Sequence, residues 1–525
     1  MPTKQYHTIQ KQTLEITFPG VGDVLQWEKN HQQDFLHTIQ TTLDRCFEAY
    51  EERDQHIILD KLELDLGTLT EANLQTEMPE RLFAALQKEL KDNMQNSNFE
   101  NRDVHSTYSE NNPGINQRSF PGTHGRLNAF LFFLQNGYLP WWGATLAGWD
   151  EEWLKKLNAN EWGKTKEFFA ANNSISVARL TQQFDDAFLD NLIHGFNNEA
   201  RPLELWKWLL QLIDHWEEKY VAAIEKTGGQ KASNLPDDLG KSKQFSIPLI
   251  RQIYWSKWIK YSLGFGDIPM LTDLFGDNYR LLDFIKISIE DKASHPETLP
   301  AKLIPISWID ELKSFNLNTS DYSQTIDLKN IEIISSNKQT DNKGDIKTEK
   351  IKSKSIENDD TLYITDAGLV LLHPFLPQLF RTCGFADEKN FLDPVSQTMA
   401  IYTIHYLVTG DIVAPEYQLL LAKLFCGLDW EVPLQPVDAL PQSIRDAGDE
   451  LLTEVIRHWA ALKNTSPGGL RQAFLQRNGK LEKQQGGWQM LVEEKAQDVL
   501  LGRLPWGISV IKYPWMQQML SVTWK

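Results

Sequence analysis

The stretch TLYITDAGLVLLHPFLPQLFRTCGFADEKNFLDPVSQTMAIYTIHYLV (361–408) opens the densest apolar region of the chain, directly after its most polar part. Its first apolar residues recur every three or four positions, which predicts helix buried along a broad stripe: Leu369, Leu372, Phe375, Leu376, Leu379 and Phe380. Pro374 and Pro377 interrupt this stripe, so we expect two short helical pieces ending at a Gly384 cap. A second stripe runs to Gly410 through Met399, Tyr402, Tyr406 and Leu407. The pattern predicts a packed core rather than a reactive site.

Bulk composition narrows the class of protein. With 525 residues, 41% of them hydrophobic and 18 of them Trp, the chain can build several cores, and its length suggests three or four domains. The 53 basic and 71 acidic residues give a net charge of −18, which argues against nucleic acid and anionic membranes as partners. No apolar run is long enough to span a membrane, and the N-terminus lacks a secretory apolar region. We therefore expect a cytoplasmic protein.

The first 91 residues predict a small domain of strand, helix and strand. Alternation in residues 7–18 indicates a half-buried strand, and apolar residues at helical spacing indicate a helix from Trp27 to Arg53. A second strand is expected around Leu62, Leu64 and Leu66. One sheet face and one helix face can close such a unit. A short helix from Pro79 to Leu90 follows, and residues 92–124 are polar enough to predict a linker.

Residues 125–315 predict a helical middle domain. Its clearest helices are WKWLLQLIDHWEEKYVAAI (206–224) and QIYWSKWIKYSLGF (252–265), in which Trp at helical spacing indicates core. Gly137 is expected to cap the helix that precedes it, with Trp141 and Trp142 packing over its end. Residues 316–360 have few aromatic residues and many charges, which predicts a disordered polar linker with a reach of roughly 40 Å.

Residues 361–525 predict a helix-rich α+β domain. Beyond the opening stretch we expect helices at Pro415–Phe425, at about Ile444–Lys463 and from Ser466, where Ser-Pro suits the N-cap and the first helical position. Strand-like composition appears in WQMLVEE (488–494) and ISVIKY (508–513), and SVTW (521–524) would add a short edge strand. The predicted fold class is mainly α with small α+β end domains.

Few residues suggest chemistry. Glu63 and Asp65 could be paired carboxylates on one strand face, although a solvated face is the ordinary interpretation because no partner group or pocket is evident. Three histidines in apolar helices are expected to be hydrogen-bonded core or rim residues: His373, His405 and His458. Arg471 and Arg477 could form ion pairs with Glu493 and Glu494. We nominate no catalytic, cofactor-binding or metal-binding residue, and we expect no enzyme and no cofactor.

The three cysteines are too few and too scattered for a disulfide framework or a zinc site. Cys46, Cys383 and Cys426 all lie in apolar helical contexts. The expected role for each is that of a small buried hydrophobic residue.

Seven blocks of the sequence carry a resemblance to a known family. They are AGLVLLHPFLPQLF (367–380), YLVTGDIVAPEYQLLLAKLFCGL (406–428), LLTEVIRHWAALKNTSPGGLRQAFLQRNG (451–479) and LPWGISVIKYPWM (504–516), with HTIQKQTLEI (7–16), LDKLELDLGTL (59–69) and NGYLPWWG (136–143) in the N-terminal part. In this order the blocks resemble the contractile injection system tape measure proteins of phage-tail-like extracellular particles. The resemblance implies a structural component that sets inner tube and sheath length while lying in the tube lumen. It also implies inner tube and baseplate hub proteins as partners, and assembly in the cytoplasm.

The chain cannot be one continuous helical ruler. As a single helix 525 residues would span roughly 790 Å, but 23 Pro, 30 Gly and the absence of a sustained heptad pattern favour compact domains on tethers. An assembly chaperone, or an adaptor that binds the tube or baseplate without measuring length, is therefore the alternative. A hydrolase that uses Glu63 and Asp65 is the third hypothesis.

Overall fold

A computed structural model describes most of the chain. The described residues are 37–47, 55–59, 62–69, 74–96, 117–140, 142–143, 147–171, 174–197, 202–226, 246–276, 304–314 and 361–524 except 438, 463–464 and 485, with positions 12, 15, 282 and 285. The predicted linker 316–360, most of the predicted linker 92–124 and nearly all of the predicted strand 7–18 lie outside these residues. The contacts divide the chain into two compact units, Met1–Phe132 with Leu139–Trp149, and Phe133–Tyr138 with Asp150–Lys525. The five-part division inferred from composition stays a prediction.

The described residues of the first unit include two helices, a strand pair and the beginning of a third helix. Helix α1 covers residues 37–47, β1 covers Gln55–Leu59, α2 covers Leu74–Asn96 and β2 covers Gln117–Pro121. Strands β1 and β2 are antiparallel, with Gln55 opposite Pro121. Two small clusters of buried residues join α1 to α2. One contains Ile39, Met78 and Leu82, and the other contains Cys46, Leu86 and Leu90.

The predicted strand around Leu62, Leu64 and Leu66 is wrong. These leucines are half-buried and alternate with exposed residues, as expected, and they pack against the two clusters. Residues 62–69 nevertheless belong to no strand, because a strand needs a hydrogen-bonded partner and they pair with none among the described residues. Alternation of apolar and polar residues predicts which side chains are buried, but it does not predict hydrogen-bonded pairing with another strand.

Helix-capping residues and Trp stripes in the sequence account for the helices of the second unit that precede the polar stretch 316–360. Helix α3 covers Gly122–Asn136 and extends from the first unit into the second. The following helices are α4 Glu151–Lys155, α5 Ala159–Ala170, α6 Ser174–Gln183, α7 Asp186–Phe196, α8 Pro202–Lys226, α9 Ile247–Ser262, α10 Leu271–Phe275 and α11 Ile306–Ser314. Helix α9 packs against α6 and α7. The predicted Trp stripes are buried, with Trp206 and Trp255 at 1% and 0% exposure.

The helices after the polar stretch are shorter. A 3-10 turn at Ala367–Leu372 is followed by α12 Leu376–Thr382, α13 Pro394–Thr409, a 3-10 turn at Glu416–Gln418, α14 Leu420–Phe425, α15 Gln442–His458, a 3-10 turn at Ala460–Leu462, α16 Pro467–Leu470 with a π turn at Arg471–Leu475, and a 3-10 turn at Ala496–Arg503. The predicted division at Pro374 and Pro377 is confirmed, and Gly384 follows α12 at a φ of +72°. Ser466 caps α16 as expected, through a 3.1 Å bond from Gly469 N.

Two helix predictions need correction. The segment Pro415–Phe425 is not one helix, because Leu419 leaves the helical region between the 3-10 turn and α14. In α13, the residues predicted to face the core, such as Tyr402 and Tyr406, are only half-buried, whereas Ile401 and Ile404 have no exposure.

The C-terminal strands form one mixed sheet in the order β3–β4–β5–β7–β6. They are β3 Thr361–Ile364, β4 Gly479–Gln484, β5 Gly487–Val492, β6 Val510–Ile511 and β7 Met519–Thr523. Strands β5 and β7 are parallel, and the other neighbouring pairs are antiparallel. The strand predicted at 521–524 is confirmed as β7, but its predicted position at the edge is wrong, since β7 lies between β5 and β6. A mainly α fold with a small α+β end is confirmed, and none of the described helices is long and apolar enough to cross a membrane.

Candidate functional site

A fully buried charged cluster lies in the second unit. The Nε atom of Arg179, on α6, is 3.2 Å from Oε2 of Glu416, and neither side chain has any exposure. The Nζ atom of Lys423, on α14, donates to Oε1 of the same carboxylate, and Lys423 is also fully buried. Glu416 is therefore the anionic partner of two buried cations.

Backbone carbonyl oxygens accept hydrogen bonds from both cations, whereas Arg179 Nε and Glu416 Oε2 face each other as an ion pair and make no hydrogen bond among the described residues. Lys423 Nζ donates to Val432 O at 2.7 Å and to Trp430 O at 3.1 Å. Arg179 Nη2 donates to Glu431 O at 2.7 Å, and Nη1 donates to Leu134 O near the end of α3. These carbonyls satisfy donors that the single carboxylate cannot satisfy alone.

A glutamine adds a neutral contact. The backbone N of Glu416 donates to Oε1 of Gln183, at the end of α6, over 2.6 Å. We call the whole assembly the charged joint: the side chains of Arg179, Gln183, Glu416 and Lys423 with the carbonyls of Leu134, Trp430, Glu431 and Val432. It connects segments that lie far apart in the sequence.

The electrostatics of the charged joint reflect its burial. Removal from water lowers the pKa of Lys423 to about 8, while the neighbouring Glu416 carboxylate acts in the opposite direction. Burial also lowers the pKa of Arg179, again opposed by Glu416. Burial raises the pKa of Tyr402 to about 12, and the charge of Glu416 adds to this rise. A substrate could not reach these groups from solvent, so the arrangement serves to hold segments together.

Close packing surrounds the charged joint. Gly137 ends α3 at a φ of +81°, as predicted, and its N donates to Phe133 O at 2.8 Å. A Cβ atom at Gly137 would lie 2.2 Å from Trp430 O, so only glycine fits there. The rings of Phe133 and Tyr417 meet edge-on at 5.4 Å. The ring of Trp430 lies 4.6 Å from that of Trp488 on β5, which links the charged joint to the sheet.

Two further arginines repeat the same chemistry. Arg251 Nε donates to Asp186 at 2.7 Å, and its Nη2 donates to Phe184 O just beyond α6. Arg471 Nη2 donates to Asp449 at 2.8 Å, and its Nε donates to Leu407 O in the last turn of α13 at 3.1 Å. In each case one guanidinium binds both a carboxylate and a carbonyl at a helix C-terminus, and its positive charge suits the negative end of the helix dipole.

The predicted ion pairs of Arg471 and Arg477 with Glu493 and Glu494 are wrong. The carboxylate partner of Arg471 is Asp449, and that of Arg477 is Asp498. Arg477 does reach Glu493, but through the backbone carbonyl at 3.3 Å. The prediction was therefore right that Arg477 lies beside the segment that contains Glu493, but it named the wrong carboxylate as the acceptor.

The other candidate residues are not brought together. Glu63 and Asp65 are exposed, and Asp65 accepts a 2.8 Å bond from Gly67 N, which is a turn contact. His373 is half-buried and bonds Gly507 O at 2.8 Å, and burial lowers its pKa. His405 is buried beside Thr409 Oγ1 at 3.2 Å. His458 has half of its side chain exposed, 3.7 Å from Glu454, so it is a surface residue.

The three cysteines are free thiols. Cys46 and Cys426 are buried, as expected, whereas Cys383 is half-buried. Burial raises the pKa of all three thiols. In the part of the chain that the structure describes, no group of three or more His, Cys, Asp or Glu side chains has a metal-binding arrangement.

Four of the quoted sequence blocks lie against one another in the fold. A Cβ at Gly368 would be 1.8 Å from Phe474 O, so the first and third blocks touch through backbone. Arg471 binds Leu407 O of the second block. From the fourth block, Tyr513 Oη donates to His373 O at 2.6 Å and Trp515 Nε1 donates to Phe425 O at 2.9 Å. The blocks therefore form one core.

The fold and the charged joint thus define a mainly helical protein with a small mixed sheet near its C-terminal end. The family model for contractile injection system tape measure proteins matches residues 6–524. The chain therefore belongs to this family and is a structural component of a contractile injection system. No curated protein and no solved structure matches the chain.

Proposed function

We propose that this protein sets the length of the inner tube and sheath of a contractile injection particle. The match of residues 6–524 to the tape measure family carries the proposal, because it includes both compact units and the polar stretch between Ser314 and Thr361. In this proposal the protein is not an enzyme. Its partners are the inner tube and baseplate hub proteins.

We infer that the protein acts in the cytoplasm during assembly and then lies within the lumen of the inner tube. A chain in the lumen is shielded by the tube wall. Added protease should therefore leave it intact in whole particles and digest it after the particles are opened by denaturant. Digestion in whole particles would contradict a position in the lumen.

The charged joint favours a second candidate function, an assembly chaperone or an adaptor that binds the tube or baseplate. Arg179 and Glu416 are buried together within one compact unit. A ruler that spans the tube as an extended chain has to break this contact, whereas an adaptor works with the contact intact. The compact second unit is thus the observation that supports the alternative.

Particle length separates the two functions. Residues 316–360 number 45, and duplicating them would lengthen an extended chain by about 150 Å or a helix by about 70 Å. We expect sheath length, measured by electron microscopy, to rise with duplication and fall with deletion. Unchanged length at normal particle yield would favour the adaptor.

A scrambled segment provides the control for this experiment. Shuffling the order of residues 316–360 keeps their number and composition, so a ruler should give sheaths of wild-type length. A length change from shuffling alone would show that the sequence of the segment matters, and would contradict a measurement by residue number.

A further inference from the structure

We propose that the charged joint makes the two halves of the chain non-covalent partners of each other. The upstream half ends at Ser314, and the downstream half runs from Thr361 to the C-terminus. In this proposal the covalent connection through residues 316–360 is not needed to keep the second unit assembled. The proposal concerns the protein by itself and does not rest on a role in length control.

The contacts that cross between the halves are complementary in charge. The upstream half supplies the Arg179 guanidinium, and the downstream half supplies the Glu416 carboxylate. The upstream Gln183 side chain accepts the backbone N–H of Glu416. Since Arg179, Glu416 and Lys423 are fully buried, water does not compete for these bonds.

Aromatic and backbone contacts extend this interface. Tyr417 of the downstream half meets Phe133 of the upstream half at 5.4 Å, and Trp430 meets Tyr138 at 6.2 Å. The Trp430 carbonyl also fills the space beside Gly137, where a Cβ atom would be 2.2 Å away. The interface is thus closely packed around its charges.

Separation of the halves would leave polar groups without their partners. Arg179 would lose the Glu416 carboxylate and the carbonyls of Trp430 and Glu431, and would keep Leu134 O. Glu416 would keep Lys423 but lose the acceptor of its backbone N–H. Water would hydrate these groups in the separated halves, so each contact opposes dissociation by its net free energy only, and the matching of charges and acceptors gives each half a specific partner, namely the other half.

Cleavage of the full-length protein tests the proposal. A site for a sequence-specific protease is inserted near the middle of residues 316–360, and the folded protein is cut in native buffer. We expect the two fragments to co-elute at the volume of the uncut protein in size-exclusion chromatography. Separate elution, or aggregation of the cut protein, would overturn the proposal.

Two variants test whether the charged joint holds the cut fragments together. Glu416→Gln removes the shared negative charge, and its cut fragments should elute separately. Gln183→Leu keeps all three charges and leaves the backbone N–H of Glu416 without its acceptor, which should raise the dissociation constant of the cut fragments by about tenfold. This variant serves if Glu416→Gln does not fold. Glu454→Gln, which alters an exposed ion pair with Arg457, is the matched control and should behave as wild type. Cut fragments of Glu416→Gln and Gln183→Leu that associate as tightly as wild type would overturn the role of the charged joint.

Discussion

Arg179 and Glu416 form an ion pair over 3.2 Å in which both side chains are fully buried, although they lie on opposite sides of the polar stretch 316–360. The same carboxylate accepts a bond from Lys423. One carboxylate therefore balances two cations, and backbone carbonyls accept further hydrogen bonds from both of them. This asymmetry makes Glu416 the residue on which the stability of the charged joint most depends.

Glu416→Gln should destabilise the protein strongly. Glutamine keeps the shape of the side chain but leaves two buried cations without a counter-charge. Breaking a buried pair in this way typically costs about 3–5 kcal/mol. The free energy of unfolding, from urea titration followed by Trp fluorescence, should fall by this amount.

The matched control is Glu454→Gln, because Glu454 pairs with Arg457 at an exposed position. Solvent screens such pairs, so the urea midpoint should not change. Equal midpoints for Glu416→Gln and wild type would show that the buried charge is compensated elsewhere.

Lys423 should make stability depend on alkaline pH. Burial lowers its pKa from 10.5 to about 8 in the folded protein. Between these values the unfolded chain binds the proton that the folded chain has released, so the free energy of unfolding rises with pH. Below pH 8 the full cost of burying the charge is present; above pH 10.5 this cost is gone.

The comparison for this effect is Lys423→Met, which removes the titrating group and keeps apolar volume. The stability of wild type relative to the variant should increase by up to about 3 kcal/mol from pH 7.5 to pH 10.5. Tyr402, with a pKa raised to about 12, is common to both proteins, so its contribution cancels in this comparison. A difference that stays constant with pH would mean that Lys423 keeps its proton throughout.

The helical core was predictable from the sequence because its signals are local. Apolar spacing located the Trp stripes of α8 and α9, and glycine located chain reversals such as Gly137 and Gly410, both at positive φ. Proline marked the division before α12. Each of these features depends on neighbours a few residues away.

The charged joint and the sheet order were not predictable, because both depend on distant segments. Arg179 stands in an ordinary polar setting, SISVARLTQQF, and nothing there identifies Glu416 as its partner. Lys423, a lone charge within LLLAKLFC, was the one available signal that a buried cation needed a partner. Similarly, β4 has the polar sequence GKLEKQ, and its place in the sheet comes from pairing with β3 and β5.

Gly137→Ala should destabilise more than a substitution at another glycine with the same backbone conformation. Gly137 and Gly264 both have a φ of +81°. A Cβ at Gly264 meets nothing within 4 Å, whereas one at Gly137 would be 2.2 Å from Trp430 O. Gly264→Ala should therefore cost only the left-handed conformation, about 1–2 kcal/mol.

Gly137→Ala should cost this amount plus the free energy needed to displace the Trp430 carbonyl. This carbonyl also accepts a hydrogen bond from Lys423. Urea midpoints of the two variants give the comparison directly. Equal losses would indicate that the 428–432 segment can move away from α3 without weakening the charged joint.

Asp366→Asn should remove a loss of stability that the wild-type protein undergoes as the pH rises towards 7. Asp366 lies between β3 and the 3-10 turn, and its Oδ1 atom is buried without a hydrogen-bond partner, although part of the residue reaches solvent. Burial raises the pKa of this carboxyl from 3.8 to about 7. Between these values the folded state binds the proton that the unfolded state has released, so the free energy of unfolding falls as pH rises.

The stability of wild type relative to Asp366→Asn should therefore decrease from pH 4 to pH 7, by at most about 4 kcal/mol. The amide introduced by this substitution does not titrate, and it keeps the size of the carboxyl group. Asp446→Asn changes an exposed carboxylate and should run parallel to wild type across the same range. If wild type and Asp366→Asn also run parallel, Asp366 is ionised in the folded protein at pH 5 to 6. Its carboxylate then has a partner, such as a buried water molecule, that stabilises the charge.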